Sequence, residues 1–157
     1  MLILGIDPGL IKTGWGIIES KDNQIIYIAS GTIATNTKQP MGERLKNISK
    51  EISIILNHHK PTACAIEETF VNQNPLTSLK LGQARGAILT TIALQDIPIH
   101  EYLPNLIKKT VTGVGKAQKQ QVCKMIKYLL PKSNTQTEDE ADALAIAICH
   151  NSHLRKY

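Results

Sequence analysis

The segment from residue 138 to residue 153 constrains the fold most, because it has the pattern of a helix that is apolar on nearly all sides. Between Ala141 and Cys149 the only charged residue is Asp142. Such a helix must be buried, and its alanines let the backbone approach a sheet closely. Thr137 and Glu140 form a predicted capping box that places the helix start at about residue 138. Asp139 and Asp142, three residues apart, would then share one face at the head of this helix.

The preceding sequence predicts the sheet that covers this helix. Strand patterns occupy residues 2–7, 13–20 and 24–34, then 63–67 and 97–102. Helix patterns occupy residues 40–59, 76–95, 105–110 and 117–130. The order predicts an α/β fold with a five-stranded mixed sheet, in which an antiparallel meander is followed by parallel strands and helices cover both faces. No repeat or Gly/Ser linker divides the chain, so we expect one domain over residues 1–157.

Two of the predicted strands end in an acidic residue. Asp7 ends the first strand before a Pro-Gly turn, and Glu67 ends the fourth. If these strands are neighbours, Asp7 and Glu67 can meet Asp139 and Asp142. Four carboxylates repel one another unless cations neutralise them, and oxygen ligands favour Mg²⁺, with Mn²⁺ able to substitute, in a site for two ions. Each acid also has a structural explanation (a turn, an exposed strand end, a favourable helix dipole), so the hypothesis depends on convergence.

The positive charge is concentrated in the C-terminal half of the chain. The net charge is +5, yet no Asp or Glu occurs from Tyr102 to Thr137, where seven lysines lie. Such a stretch predicts a surface for a polyanion, although a solvated basic helix face is the alternative. The sequence around Lys116, Gly-Val-Gly-Lys, lacks the spacing of a nucleotide-binding loop and better suits contact with a DNA backbone.

Other features limit where such a chain would work. No apolar run reaches the roughly 18 residues of a membrane span, so no membrane association is expected. The first residues have the pattern of a strand, not of a signal peptide. Cys64, Cys123 and Cys149 are odd in number and far apart, so they fit neither a disulfide framework nor the spacing of zinc ligands. We therefore expect a cytoplasmic protein with free thiols.

Five segments together resemble the RuvC family of crossover junction (Holliday junction) endodeoxyribonucleases. They are GIDPG at 5–9, TGWG at 13–16, AIEE at 65–68, LKLGQARG at 79–86 and DEADALAIAICH at 139–150. The resemblance implies an RNase H-like fold and a structure-selective endonuclease that cuts paired strands of four-way junction DNA symmetrically, in homologous recombination and DNA repair. It implies that the catalytic, metal-binding acids are Asp7, Glu67, Asp139 and Asp142. It also implies phosphate contacts by Lys108 and Lys119.

The same resemblance implies an assembly. The family acts as a homodimer and works with the branch-migration proteins RuvA and RuvB. The helix that carries Gly82 and Gly86 would lie at the dimer interface, although packing on the chain's own sheet is the alternative. Phe70 would contact DNA at the junction crossover, unless it packs locally. The chain departs from the family pattern at Leu10, Trp15 and Asn105.

Three other functions compete with this interpretation. A nuclease of the same fold could prefer RNA–DNA hybrids, although the lysine-rich C-terminal half disfavours that choice. A junction-binding protein without activity would gain nothing from four acids near DNA. An actin-like ATPase needs two such domains, and 157 residues suffice for only one.

Overall fold

A computed structural model describes residues 1–22, 24–69 and 74–154. Its strands are β1 (Leu2–Asp7), β2 (Lys12–Lys21), β3 (Gln24–Ala34), β4 (Ala63–Glu67) and β5 (Ile99–Tyr102). Its helices are α1 (Met41–His59), α2 (Pro75–Ala93), α3 (Pro104–Thr112), α4 (Lys119–Leu129) and α5 (Glu138–Leu154). The predicted order of elements is confirmed.

The five strands form one mixed sheet in the order β3-β2-β1-β4-β5. β1 and β2 are antiparallel, as are β2 and β3, which confirms the predicted meander. β4 is parallel to β1, and β5 is parallel to β4. Parallel neighbours cannot be joined by a hairpin, and the helices α1 and α2 provide the crossover connections that these pairs need. The carboxyl ends of β1 and β4 therefore lie side by side.

Helices cover both faces of the sheet, as predicted. On one face Ile3 and Ile18 pack with residues of α3, α4 and α5, including Leu144. On the other face Leu4 and Ile6 pack with residues of α1 and α2. Within the described residues, no helix is both long and apolar enough to cross a bilayer.

Some element boundaries differ from the prediction by about two residues. α4 begins at Lys119, two residues later than predicted, because Gln118 caps the helix and its own N–H donates to the side chain of Gln121. β5 begins at Ile99 and not at Ile97, and the carbonyl of Pro98 accepts a hydrogen bond from Cys64. These caps and edge contacts fix helix and strand ends without leaving a periodic signal.

Three glycines of β1 and β2 allow α5 to lie directly on the sheet. A Cβ atom added to Gly5 would lie 2.0 Å from the carbonyl oxygen of Ala143, and one on Gly14 would lie 2.1 Å from that of Asp139. A Cβ on Gly16 would lie 2.7 Å from the side chain of Leu144. In the first two contacts, the atom that the added Cβ would meet is a backbone carbonyl oxygen of α5. Such an atom cannot move aside unless the whole helix shifts. The glycines of GIDPG and TGWG thus set the distance between the sheet and α5.

We expect Gly14→Ala to lower the free energy of unfolding by about 1–3 kcal/mol, the usual cost of an extra methyl group in a tightly packed site. Thermal unfolding measures the change as a Tm lowered by several degrees. Gly42→Ala is the control, since a Cβ at Gly42 meets no described atom within 4 Å and alanine favours the helix. Equal Tm values for the two variants would contradict the close approach of α5.

Candidate active site

Asp7 and Glu67 are neighbours at the carboxyl edge of the sheet. β1 and β4 pair in parallel with Ile6 opposite Ile66, which places the next residue of each strand at the same point of the edge. Asp142, from the beginning of α5, lines the same cavity of about 230 Å³. The predicted convergence of these three acids is therefore found in the structure.

Asp139 occupies a different position from Asp142. It lies one turn earlier on α5, where its backbone covers Gly14, the β2 residue paired with Asp7. It is not among the residues that line the cavity, although its charge acts on both Asp7 and Asp142. Within this cluster, Asp142 lines the cavity, whereas Asp139 does not belong to the lining.

A hydrogen-bond network fixes the head of α5 over the meander. The backbone N–H of Glu140 donates to the hydroxyl of Thr137 at 3.2 Å, as the capping box predicts. The buried Glu140 carboxylate accepts hydrogen bonds from Ser30 at 2.8 Å, from Thr137 at 3.2 Å and from the Gln136 N–H at 3.4 Å. The hydroxyls of Thr32 and Thr137 are 3.0 Å apart. Ser30 and Thr32 were not predicted, because only the tertiary fold brings β3 to residues more than one hundred positions away.

The acids of the cavity disfavour their own ionisation. Burial raises the pKa of Asp7 to about 7, and the charges of Glu67 and Asp142 contribute to the rise. Burial also raises the pKa of Glu67, with a further contribution from Asp142. The pKa of Asp142 is raised by burial as well, although the nearby Lys119 opposes that effect. A cation that entered the cavity would relieve this repulsion.

Two lysines line the cavity together with the acids. Lys108 comes from α3 and Lys119 from the first residue of α4. The Lys119 ammonium lies 3.6 Å from Asp142 and 4.0 Å from Glu138. Burial lowers the pKa of Lys119, but Asp142 and Asp7 outweigh this effect, so the pKa is raised. The helix dipole disfavours a cation at a helix N-terminus, and the acidic partners of Lys119 offset this unfavourable interaction.

The cavity has the chemistry of a site for hard divalent cations. Its potential ligands are carboxylate oxygens, which Mg²⁺ and Mn²⁺ prefer. Within the described residues, no three His, Cys, Asp or Glu side chains already meet in the geometry of a metal shell. An ion would therefore have to draw the oxygens of Asp7, Glu67 and Asp142 together. The raised pKa values and the oxygen-only donor set fit such an ion.

The other predicted residues that the structure describes do not line the cavity. Lys116 is exposed in the loop between α3 and α4. Gly82 and Gly86 are exposed on α2, and an added Cβ at either would meet no described atom within 4 Å. The alternative that these glycines pack on the chain's own sheet is therefore wrong. Phe70 lies outside the described residues.

Comparison with known proteins identifies the family. The family model described as "Crossover junction endodeoxyribonuclease RuvC" matches residues 3–150. The protein of that name from Azorhizobium caulinodans is 49% identical over 151 residues, which is 96% of this chain and 89% of the relative. The one from Brucella suis biovar 1 is 48% identical over 96% of this chain and 87% of its own length.

The structural comparison agrees with the sequence comparison. Thermus thermophilus RuvC, solved in complex with a Holliday junction substrate, superposes with a TM-score of 0.92 at 30% identity, covering 99% of this chain and 96% of that one. The five-stranded mixed sheet with helices on both faces is thus the RNase H-like fold that the resemblance implied. This chain belongs to the RuvC family of crossover junction endodeoxyribonucleases.

Proposed function

We propose that this protein resolves Holliday junctions by metal-dependent hydrolysis of phosphodiester bonds in paired DNA strands. One observation carries the proposal: Asp7, Glu67 and Asp142 share a cavity with Lys108 and Lys119 in a chain of the RuvC family. The Thermus relative, whose fold this chain shares almost completely, binds a Holliday junction substrate. The basic helices α3 and α4 flank the cavity where the DNA backbone would pass.

The acids would hold the metal and the lysines would hold the phosphate. We assign Asp7, Glu67, Asp139 and Asp142 to two Mg²⁺ ions, with Mn²⁺ as a substitute. Two ions held there would supply activation of the attacking water and stabilisation of the leaving oxygen, and the expected products would be a 5′-phosphate and a 3′-hydroxyl. Lys119 is placed to stabilise the extra negative charge of the phosphate in the transition state.

The ammonium of Lys119 already lies 3.6 Å from Asp142, at the border between the acids and the basic helices. Lys108 lines the same cavity and would bind a non-bridging phosphate oxygen. The exposed Lys116 would contact the backbone farther from the cut bond.

Cutting two strands symmetrically requires two copies of this site. We assign the dimer interface to the exposed face of α2 around Gly82 and Gly86, because small residues there leave room for a second backbone. Leu76 and Leu79 on the same helix are 69% and 62% exposed, so a partner that covered this face would bury apolar surface. A symmetric pair of such faces would form a closed dimer.

The partner proteins and the role of Phe70 are inferred from family membership. RuvA and RuvB are the expected partners in branch migration, and Phe70 is the expected wedge at the junction crossover. We propose one catalytic domain over residues 1–157 and a cytoplasmic location, where Cys64, Cys123 and Cys149 stay reduced and form no disulfide.

Substrate choice tests the proposed function. Wild-type protein with Mg²⁺ is offered a four-way junction, a linear DNA duplex and an RNA–DNA hybrid of matching sequence. We expect cleavage of the junction with little of either linear substrate. Faster cleavage of the hybrid than of the junction would assign the cavity to an RNase H activity instead.

Metal binding should tighten as the pH rises. Asp7 has a pKa of about 7, so it is mostly protonated at pH 6 and mostly ionised at pH 8. An ion must displace that proton, so Mn²⁺ affinity should rise roughly tenfold between these pH values. Calorimetric titration in two buffers of different ionisation enthalpy measures the affinity and the released proton. An affinity that is flat across this range, with no proton released, would contradict the raised pKa.

A further inference from the structure

A second cationic pocket lies beside the active site, on the other face of the sheet. We name it the Lys12–Lys80 pocket. Its volume is about 570 Å³, and its polar side chains come from Lys12, Thr37, Arg44, Thr77 and Lys80. Among the described residues, no Asp or Glu lines it. Three cations and two hydroxyls without an acid form a site for an anion.

The three cations come from three separate elements of the fold. Lys12 begins β2, Arg44 lies in α1 and Lys80 lies in α2. Lys12 and Lys80 are exposed, so both side chains can contact a ligand that enters the pocket from solvent.

Arg44 gives the pocket a fixed positive charge. Its side chain is only 8% exposed, and it donates to the hydroxyl of Thr35 at 3.0 Å and to the carbonyl oxygen of Leu10 at 3.1 Å. Both partners are neutral, and Arg44 forms no ion pair with any described residue. Its charge is therefore not cancelled locally, and the rigid guanidinium suits phosphate oxygens.

A single loop separates the pocket from the catalytic acids. The loop begins directly after Asp7 and is held from both sides. Arg44 and Thr35 both donate to the carbonyl of Leu10, and the hydroxyl of Thr13 donates to the carbonyl of Gly9 at 2.6 Å. The acid cavity opens on the α5 side of this sheet edge, and the Lys12–Lys80 pocket opens on the side of α1 and α2. A DNA strand crossing the edge would meet both.

We propose that the Lys12–Lys80 pocket binds a backbone phosphate of the DNA strand near the phosphate that is cut. This inference rests on the proposed function, because that function places a strand across the sheet edge. The exposed ammonium groups of Lys12 and Lys80 bind the phosphate on its solvent side. The buried guanidinium of Arg44 binds it on the side of the protein interior. The strand is thereby clamped on both sides of Asp7 before the metal-dependent step.

The salt dependence of junction binding tests the proposal. The double variant Lys12→Gln/Lys80→Gln is titrated with a labelled four-way junction in EDTA over a range of KCl concentrations. Each lost phosphate contact removes about one unit from the slope of log affinity against log salt. We expect five- to tenfold weaker binding at about 0.1 M salt and a slope shallower by about one.

A second double variant, Lys21→Gln/Lys60→Gln, is the matched control. It removes the same charge at exposed positions near the opposite edge of the sheet. The same affinity and the same slope in the two double variants would overturn the pocket. Wild-type protein is assayed in parallel for Mg²⁺-dependent cutting, so a pocket that fails beside an active wild type leaves the proposed function intact. A wild type that neither binds nor cuts the junction would overturn both.

Discussion

Asp7→Asn is expected to abolish junction cleavage and, at the same time, to stabilise the metal-free protein at pH 8. The charges of Glu67 and of the acids of α5 all act on Asp7, so this substitution would remove a carboxylate from the middle of the proposed metal site. The cleavage rate should fall more than about a thousandfold, which corresponds to roughly 4 kcal/mol of transition-state stabilisation. Junction binding should persist, because the substitution removes a negative charge that repels phosphate.

The stabilisation follows from the sign of the pKa shift. The folded protein raises the pKa of Asp7 from 3.8 to about 7, so ionised Asp7 destabilises the fold as pH rises through this range. Asparagine avoids that cost. The free energy of unfolding at pH 8 should increase on the order of 2–4 kcal/mol, with little change near pH 3, where Asp7 is mostly protonated in both the folded and the unfolded state. Thermal unfolding in EDTA at the two pH values measures this difference.

Asp96→Asn is the matched control for both effects. Asp96 is exposed and has a φ of 55°, a conformation that asparagine also adopts readily. Neither the cleavage rate nor the pH dependence of the Tm should change in this variant. An Asp7→Asn protein that cut junctions at a rate within tenfold of wild type would disprove the carboxylate mechanism.

Lys119→Gln is expected to slow cleavage by about 10²–10³-fold at saturating junction, the usual cost of losing one fixed group that stabilises transition-state charge. Affinity for the junction should change only a few-fold, since the other lysines of α3, of α4 and of the loop between them would remain available to the DNA backbone. Lys119 also neutralises Asp142 across 3.6 Å, so its loss should raise the pKa of Asp142 and move the pH–rate profile to higher pH.

Lys127→Gln separates this effect from a general loss of charge. Lys127 is exposed on α4, the same helix, but does not line the cavity. Its variant should bind slightly more weakly and cut at the normal saturating rate. Lys119→Arg, which keeps the charge, should recover part of the lost rate. If Lys119→Gln weakened binding while leaving the saturating rate unchanged, Lys119 would be only a backbone contact.

The main elements of the fold and the acids of the cavity could be predicted from local patterns. The apolar stretch from Ala141 to Cys149 requires a buried helix, and the acids Asp7 and Glu67 end neighbouring strands once the crossovers make those strands parallel. What a pattern could not supply is tertiary distance. The 2.0 Å approach that only glycine permits at Gly5, and the hydrogen bond from Ser30 to Glu140, depend on how α5 lies on the sheet.

Some features could not be decided from the sequence because two structures share the same pattern. Gly82 and Gly86 suit either intrachain packing or an open face, and only the fold shows that they are open. Asp139 and Asp142 share a helix face by spacing, yet only Asp142 lines the cavity. Arg44 belongs to an amphipathic helix, and nothing in its neighbours indicates that it supports the loop after Asp7.

The most direct test of the central claim is strand-specific cleavage of a synthetic four-way junction. Each strand is labelled in turn, and the wild-type protein is incubated with the junction or with a linear duplex, in Mg²⁺ or in EDTA. If Asp7, Glu67 and the acids of α5 hold the catalytic metal as proposed, paired nicks will appear at symmetric positions, on the junction alone and only with metal. Tight junction binding without nicks, in Mg²⁺ and also in Mn²⁺, would contradict this prediction and leave a junction-binding protein without nuclease activity.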